Sequence, residues 1–381
     1  MVLHEPMTVR GAVLREMGLP RPYAESRPLE IVELRLDPPG PGEVLLRVRA
    51  AGLCHSDLSV INGSRPRVMP MVLGHEASGE VVACGDGVTS VVPGDRAVLT
   101  FVPACGGCGP CRAERAALCE PGAAANTAGT LLAGGRRWRD TAGLELHHHL
   151  GISAFADHVV VSERSVVPVP RDLPFDVAAL FGCAVLTGVG AAVNAAGLRG
   201  GETVAVFGLG GVGLAAVLGA RMAGAREIIG VDLVADKLSL AGELGAAATV
   251  DAAAEDPVAA VRALTGGGVD VAIETAGHVA VLAQAYGATR RGGTTVTVGL
   301  PDPSRMLSIP AVSLVAEERT LRGSYLGSGV PSRDIPRFVD DHLAGRLPVE
   351  RLLTHRLGLD EINEGFDRLS IGEGVRQAVV L

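Results

Sequence analysis

The spacing of apolar and polar positions divides the chain into two textures. Up to about residue 184, short β-type runs such as EVLLRVRA (43–50), SGEVVACG (78–85), DRAVLTF (95–101) and DHVVVSE (157–163) are separated by turn signals such as PPGPGE and VPGD. The pattern predicts a small-stranded, barrel-like region. From 185 to 324 the strand-like runs VAVFG, IIGVD, ATVDA, VDVAIETAG and TTVTVGL alternate with Ala/Leu-rich helical segments. Strands alternating with helices predict a parallel, doubly wound sheet. Residues 325–381 return to mixed helix and strand. The expected plan is therefore α/β: a β-rich catalytic domain made of 1–184 and 325–381, interrupted by a nucleotide-binding domain at 185–324.

The nucleotide reading rests on TVAVFGLGGVGLAAVLGARMAG (203–224) and the strand that follows it. A strand runs into a glycine loop and straight on into a helix. Gly208 permits the tight turn, Gly210 lets the backbone approach a pyrophosphate, and Gly213 allows close helix–strand packing. Gly211 and Val212 open the helix whose N-terminus would face the phosphates. The second strand ends at Asp232, nineteen residues past Gly213, where an acceptor for ribose hydroxyls belongs. A carboxylate there repels a 2′-phosphate, so the expected cofactor is NAD. Lys237, five residues on, is the single lysine in a chain with 33 arginines and is expected near the same ribose.

Composition narrows the partners. The chain has 381 residues, is 48% hydrophobic and carries a net charge of -8. The arginines are scattered among acids, so no nucleic-acid partner is expected. No apolar run is long enough to span a bilayer, and the N-terminus lacks a basic region followed by an apolar core. Neither a membrane association nor secretion is expected, and the chain reads as cytoplasmic.

Seven cysteines in such a chain point to metal or thiol chemistry rather than to a disulfide framework. Four of them, Cys105, Cys108, Cys111 and Cys119, fall within fifteen residues at C-x2-C-x2-C-x7-C. Four soft thiolates suit tetrahedral Zn²⁺ with no open position, hence a structural site. Redox C-x-x-C chemistry is the rival reading, but it usually uses one pair at a helix start. Cys54 (in AGLCHSD), His75 (in LGHEASGE) and Cys183 (in FGCAVLTG) are spread along the chain. Each alone reads equally well as an inert core residue. Together they form a three-ligand set that leaves one position on a catalytic zinc open. Asp57 and Glu76 stand close enough in sequence to orient those ligands.

With these motifs in hand, the chain resembles the zinc-dependent alcohol dehydrogenases of the medium-chain dehydrogenase/reductase superfamily. The resemblance covers nearly the whole length, through AGLCHSD, LGHEASGEV, the four-cysteine lobe, HHHLGISAFADHVVV, GCAVLTGVGAAVN, FGLGGVG and the tail EINEGFDRLSIGEGVRQAVVL. It implies a GroES-like catalytic domain and a Rossmann domain with the active site in the cleft between them. It implies two zinc ions per chain, and hydride transfer between NAD and a small alcohol, aldehyde or ketone. By position, Cys54, His75 and Cys183 would hold the catalytic zinc, Ser56 would pass the substrate proton and Thr187 would contact the nicotinamide. Arg376 would meet the pyrophosphate, and Phe101, Leu150 and Leu300 would line the substrate pocket. The long segment 120–150 resembles that of dimeric members, which implies a homodimer.

Three departures stand out. Ser59 occupies the position where many relatives end the proton relay in a histidine, so the relay is expected to end in water. His55 stands where some relatives carry an arginine against the phosphates, which implies faster NADH release than from a His55→Arg variant. His149 replaces a common aromatic and makes the pocket more polar. Two other functions remain open on the sequence. One is thiol-dependent formaldehyde oxidation, whose glutathione branch carries an arginine where this chain has Ala123. The other is a non-catalytic zinc protein on the same scaffold.

Overall fold

The computed structural model describes residues 5–381, which fall into two compact units. Within those residues the first comprises 5–183, 330–340 and 353–381, and the second 184–329 and 341–352. The second unit thus takes in residues 325–329 and 341–352, whereas sequence texture placed all of 325–381 with the first. One contact that ties the segment there is Arg351, which pairs with Glu243 inside the second unit.

The first unit is β-rich. Strands Met7–Leu14, Leu29–Leu36, Trp138–Asp140, Glu145–His148 and Met71–Val72 close into a small barrel. A second sheet runs, in order, through Val166–Val169, Arg96–Leu99, Ala77–Cys84, Glu43–Gly52, Arg376–Val380 and Leu353–Leu357. His158–Ser162 also pairs with Glu43–Gly52. The long strand Glu43–Gly52 is central because nearly all its side chains are buried. Apolar residues covered on both faces suit an interior strand. Leu14, Leu34, Leu36, Trp138 and Phe155 form part of the buried interior, each contributing on the order of 1.5–3 kcal/mol through removal from water.

The second unit is a six-stranded, wholly parallel sheet. Its order is Ala248–Asp251, Glu227–Asp232, Thr203–Phe207, Val269–Glu274, Thr289–Thr297, Thr320–Gly323. Every residue of Thr203–Phe207 is buried, as a central strand covered on both faces by helices requires. Phe207, Ile229, Val231, Val250, Val261 and Val269 pack in one core cluster. The sixth strand, TLRG, has no buried residue, which is why an apolar pattern did not announce it. No single helix among the described residues is long and apolar enough to cross a membrane.

Candidate active site

The first unit gathers its chemistry around a short helix, His55–Ile61. Cys54 is its N-cap residue in extended backbone, so the thiol sits at the helix entrance. His75 and Glu76 lead into the strand Ala77–Cys84, and Cys183 closes the run of helical turns from Phe175. Their Sγ, nitrogen and carboxylate atoms all lie within 4.8 Å of one another. All four side chains are buried, Cys183 at 6% exposure and Glu76 at none. His75 Nε2 is buried without a hydrogen-bond partner. A soft N/S donor set with an unpartnered imidazole nitrogen fits a zinc ion and leaves a position for a further ligand.

Electrostatics suit a cation at this point. The Cys183 thiol hydrogen-bonds Cys54 and holds it well below the usual thiol range. The same contact, with burial, pushes Cys183 well above that range. Burial opposes a charge on His75, yet the Asp57 carboxylate lifts its pKa well above the ordinary value. Asp57 Oδ1 lies 3.0 Å from His75 Nδ1, which directs the other ring nitrogen toward the thiols. Burial raises the Glu76 carboxyl to about 7 despite the opposing charge of Arg376.

Arg376 brings a refinement. Its side chain is buried, and its guanidinium is committed to Glu76 Oε2 rather than standing open in solvent. The sequence offered no sign of this pairing, because the partners lie 300 positions apart. His149, expected from the sequence to make the pocket more polar, packs against the same cluster. It is fully buried, 3.1 Å from Asp57 Oδ1 and edge-on to His75. Burial holds its pKa below the ordinary value. Phe101 stands edge-on to His75 at 5.2 Å between ring centres, and Leu150 is buried in left-handed backbone at φ 52°. Ser56 is half-buried and His55 exposed at the start of the helix. Ser59 donates its hydroxyl to the His55 carbonyl at 2.8 Å, so its proton is already used within the helix.

The four-cysteine lobe is a separate cluster. Cys105, Cys108, Cys111 and Cys119 bring their sulfurs within 4.8 Å, and none is in a disulfide. Amides of Gly107 and Cys108 donate to Cys105 Sγ and lower its pKa to about 7. Burial pushes Cys111 up to about 12. Amides of Cys105 and Gly122 donate to Cys119 Sγ. Four converging sulfurs, with backbone N–H groups aimed at Cys105 and Cys119, fit a closed tetrahedral Zn²⁺ site.

In the second unit the glycine loop follows the strand Thr203–Phe207 and opens the helix Gly211–Met222. Gly208 has φ +88°, a side chain at Gly213 would strike the Gly208 carbonyl, and Gly210 faces open space. A backbone stripped of side chains before a helix N-terminus suits a pyrophosphate. Asp232 does more than sequence spacing indicated. Its Oδ2 accepts from Leu209 N at 2.5 Å, and its Oδ1 from Leu233 N and Val234 N. It therefore shapes the loop as well as offering an acceptor. Lys237 lies half-buried on the next helix, Ala235–Leu244. Thr187 is buried on the helix Ala184–Gly190, while Leu300 is 46% exposed. Sequence reasoning passed over Thr275, whose hydroxyl donates to the Gly208 carbonyl at 2.6 Å, and Glu274, which accepts from Gly277 N and Thr297 Oγ1.

Residues 40–171 match the alcohol dehydrogenase GroES-like domain, and residues 211–343 match the zinc-binding dehydrogenase domain. The chain belongs to the zinc-dependent alcohol dehydrogenase family of medium-chain dehydrogenases/reductases. Among the members of this family, a putative alcohol dehydrogenase D of Mycobacterium tuberculosis is 40% identical over 98% of this chain and 100% of its own length. Geraniol dehydrogenase of Castellaniella defragrans is 39% identical, covering 98% of each chain. The crystal structure of benzyl alcohol dehydrogenase from Acinetobacter calcoaceticus superposes with a TM-score of 0.89 at 31% identity, over 98% of this chain and 99% of that one.

Proposed function

We propose that this family member is an NAD-dependent dehydrogenase of primary or secondary alcohols, with Cys54, His75 and Cys183 holding the catalytic zinc. The convergence of two thiols and the unpartnered His75 Nε2, drawn from three distant segments, carries this reading. When bound, zinc supplies Lewis acidity that makes the alcohol proton easier to lose. Ser56, two residues past the Cys54 ligand, accepts that proton and hands it to water, since Ser59 spends its own proton on the helix. Phe101 and Leu150 exclude water beside His75 and favour transfer of hydride over its loss to solvent. Thr187 contacts the nicotinamide. Gly208, Gly210, Gly211, Val212 and Gly213 cradle the pyrophosphate, and Asp232 and Lys237 hold the ribose. The carboxylate at 232 favours NAD over NADP. Cys105, Cys108, Cys111 and Cys119 hold a second, structural zinc.

Relatives acting on geraniol and benzyl alcohol support primary alcohols next to an unsaturated carbon as the first substrates to test. A homodimer is part of the proposal. It is supported by the edge strand Thr320–Gly323, which pairs on one side, and by the exposed Met306, Val312 and Val315 beside it in sequence. Seven cysteines without a disulfide suit a reducing, cytoplasmic setting.

The deciding experiment measures initial rates with NAD and NADP on zinc-analysed protein. The panel is short, allylic, benzylic and long-chain alcohols, and formaldehyde with and without thiols. Turnover of free alcohols with NAD at two zincs per chain is expected. Turnover of formaldehyde only with thiol replaces the alcohol reading, and no turnover across the panel with both zincs bound refutes it.

A further inference from the structure

We infer that His149 is a positioning residue of the buried metal centre: its Nδ1–H donates to Asp57, clamping the carboxylate that in turn orients His75. The inference rests on the assignment of His75 to the catalytic zinc.

Two imidazole nitrogens converge on one oxygen. Asp57 Oδ1 lies 3.0 Å from His75 Nδ1 and 3.1 Å from His149 Nδ1. The three side chains are all but completely buried. The other Asp57 oxygen and His149 Nδ1 have no hydrogen-bond partner of standard geometry. A dry carboxylate and a dry N–H each cost free energy when unpaired, and each is within reach of the other. A small rotation of either ring or carboxylate brings donor and acceptor into line.

The loop that carries His149 is built to hold it there. The His149 amide donates to Ser153 Oγ at 2.9 Å, and the amides of Ile152 and Ser153 return to the His149 carbonyl. Leu150 and Ser153, neither of them glycine, adopt positive φ of 52° and 58°. Ser153 and Ile152 are fully buried, and Ala154 N and Phe155 N bond to Gly74 O and Leu73 O beside His75. Left-handed backbone at two non-glycine residues is held only where its surroundings demand it. Here the effect is to turn one imidazole onto the carboxylate that serves another. An aromatic hydrocarbon would fill the same volume but leave Asp57 with one donor instead of two.

The test compares His149→Phe, His149→Asn and Asp57→Asn in the holoenzyme. Zinc retention at the buried site is measured by chelator competition, and the site is also read from the visible spectrum after cobalt substitution. In His149→Asn, the side-chain amide can present an N–H close to where the histidine Nδ1–H stood. His149→Phe is expected to weaken zinc retention about 10-fold, the lower end for residues that support metal ligands, and to shift the cobalt spectrum. His149→Asn should return both to within about 3-fold of the parent on the same scale, with the four-cysteine zinc unchanged throughout. A His149→Phe protein with parental retention and spectrum overturns the inference, as does a His149→Asn protein that behaves like His149→Phe. Asp57→Asn separates the two levels. If it weakens zinc while His149→Phe does not, only the role of His149 fails. If Asp57→Asn also leaves zinc untouched, the assignment of His75 to that zinc fails with it.

Discussion

The two cysteine clusters of the first unit use the same soft ligands in opposite ways. The four-cysteine lobe takes all its sulfurs from fifteen residues of one loop. It needs little scaffold beyond backbone amides that point at Cys105 and Cys119. Three of its four cysteines are partly exposed. The other cluster draws Cys54, His75 and Cys183 from three distant segments, and every member is buried. It is surrounded by costly groups: Asp57, Glu76, Arg376 and His149, all charged or polar and all withdrawn from water. On the proposed assignment, a local cluster of four thiolates would close on its metal and stabilise a loop, whereas an assembled cluster of three ligands would leave a coordination position open, with buried polar surroundings that must be satisfied by one another.

Substitutions at the two clusters should therefore fail differently. The largest effect is expected at the assembled site. Cys183→Ala should lower kcat/KM at least about 10³-fold, as loss of a catalytic metal does, while the zinc content falls from two to one per chain. Circular dichroism should show the fold retained, and a variant that keeps both zincs would break the contrast. In the lobe, Cys108→Ser should remove the other zinc and cost several kcal/mol of unfolding free energy in denaturant, on the order of a partial loss of structural-zinc binding energy. Activity per remaining folded chain should survive, and loss of activity with unchanged stability would reverse the assignment.

The parallel sheet offers a smaller version of the same contrast in two aspartates at opposite ends of its strands. Asp232 ends its strand on the side where nucleotides bind in such sheets, and Asp270 begins its strand on the other. Asp232→Ala should weaken NAD about 10-fold, equal to about 1.4 kcal/mol, and narrow the preference over NADP. Because Asp232 also holds Leu209 N, titration with both cofactors is needed: equal weakening would mean that only loop shape was lost.

Asp270 should have no such ligand effect. It accepts from Thr203 N and Thr203 Oγ1 and pairs with Arg290. Although burial opposes this, these bonds hold its pKa below the ordinary 3.8. A depressed carboxyl stabilises the fold above its unfolded value, and that stability is lost as pH falls through the lower folded value. Asp270→Asn should cost about 1 kcal/mol near neutral pH, discounted for partial exposure, and progressively less below pH 3.8. Denaturant midpoints across pH check this, and a difference that grows on acidification would contradict it.

How much of this was readable in advance depended on range. The strands 43–52, 77–84 and 158–162 followed from apolar runs between turn residues, and the glycine loop from adjacent letters. The strand Thr320–Gly323 did not, because its side chains are exposed and leave no apolar pattern. Nor did the grouping of 341–352 with the second unit, which depends on contacts such as Arg351 with Glu243. At the site, Asp57 was nominated by its nearness to Cys54, yet nothing in HHHLG marked the third histidine as its neighbour.

The amino-acid sequence by itself determined the two-texture architecture, the four-thiol lobe, the nucleotide loop and the membership of a family. These depend on residues a few positions apart, whose spacing survives folding almost unchanged. Only the tertiary structure decided which distant polar groups meet. Arg376 is paired with Glu76, the His149 ring lies beside the Asp57 carboxylate, and Asp232 accepts from Leu209 N. A polar group removed from water takes whatever partner the packed chain brings within reach, and that partner is set by the fold rather than by spacing.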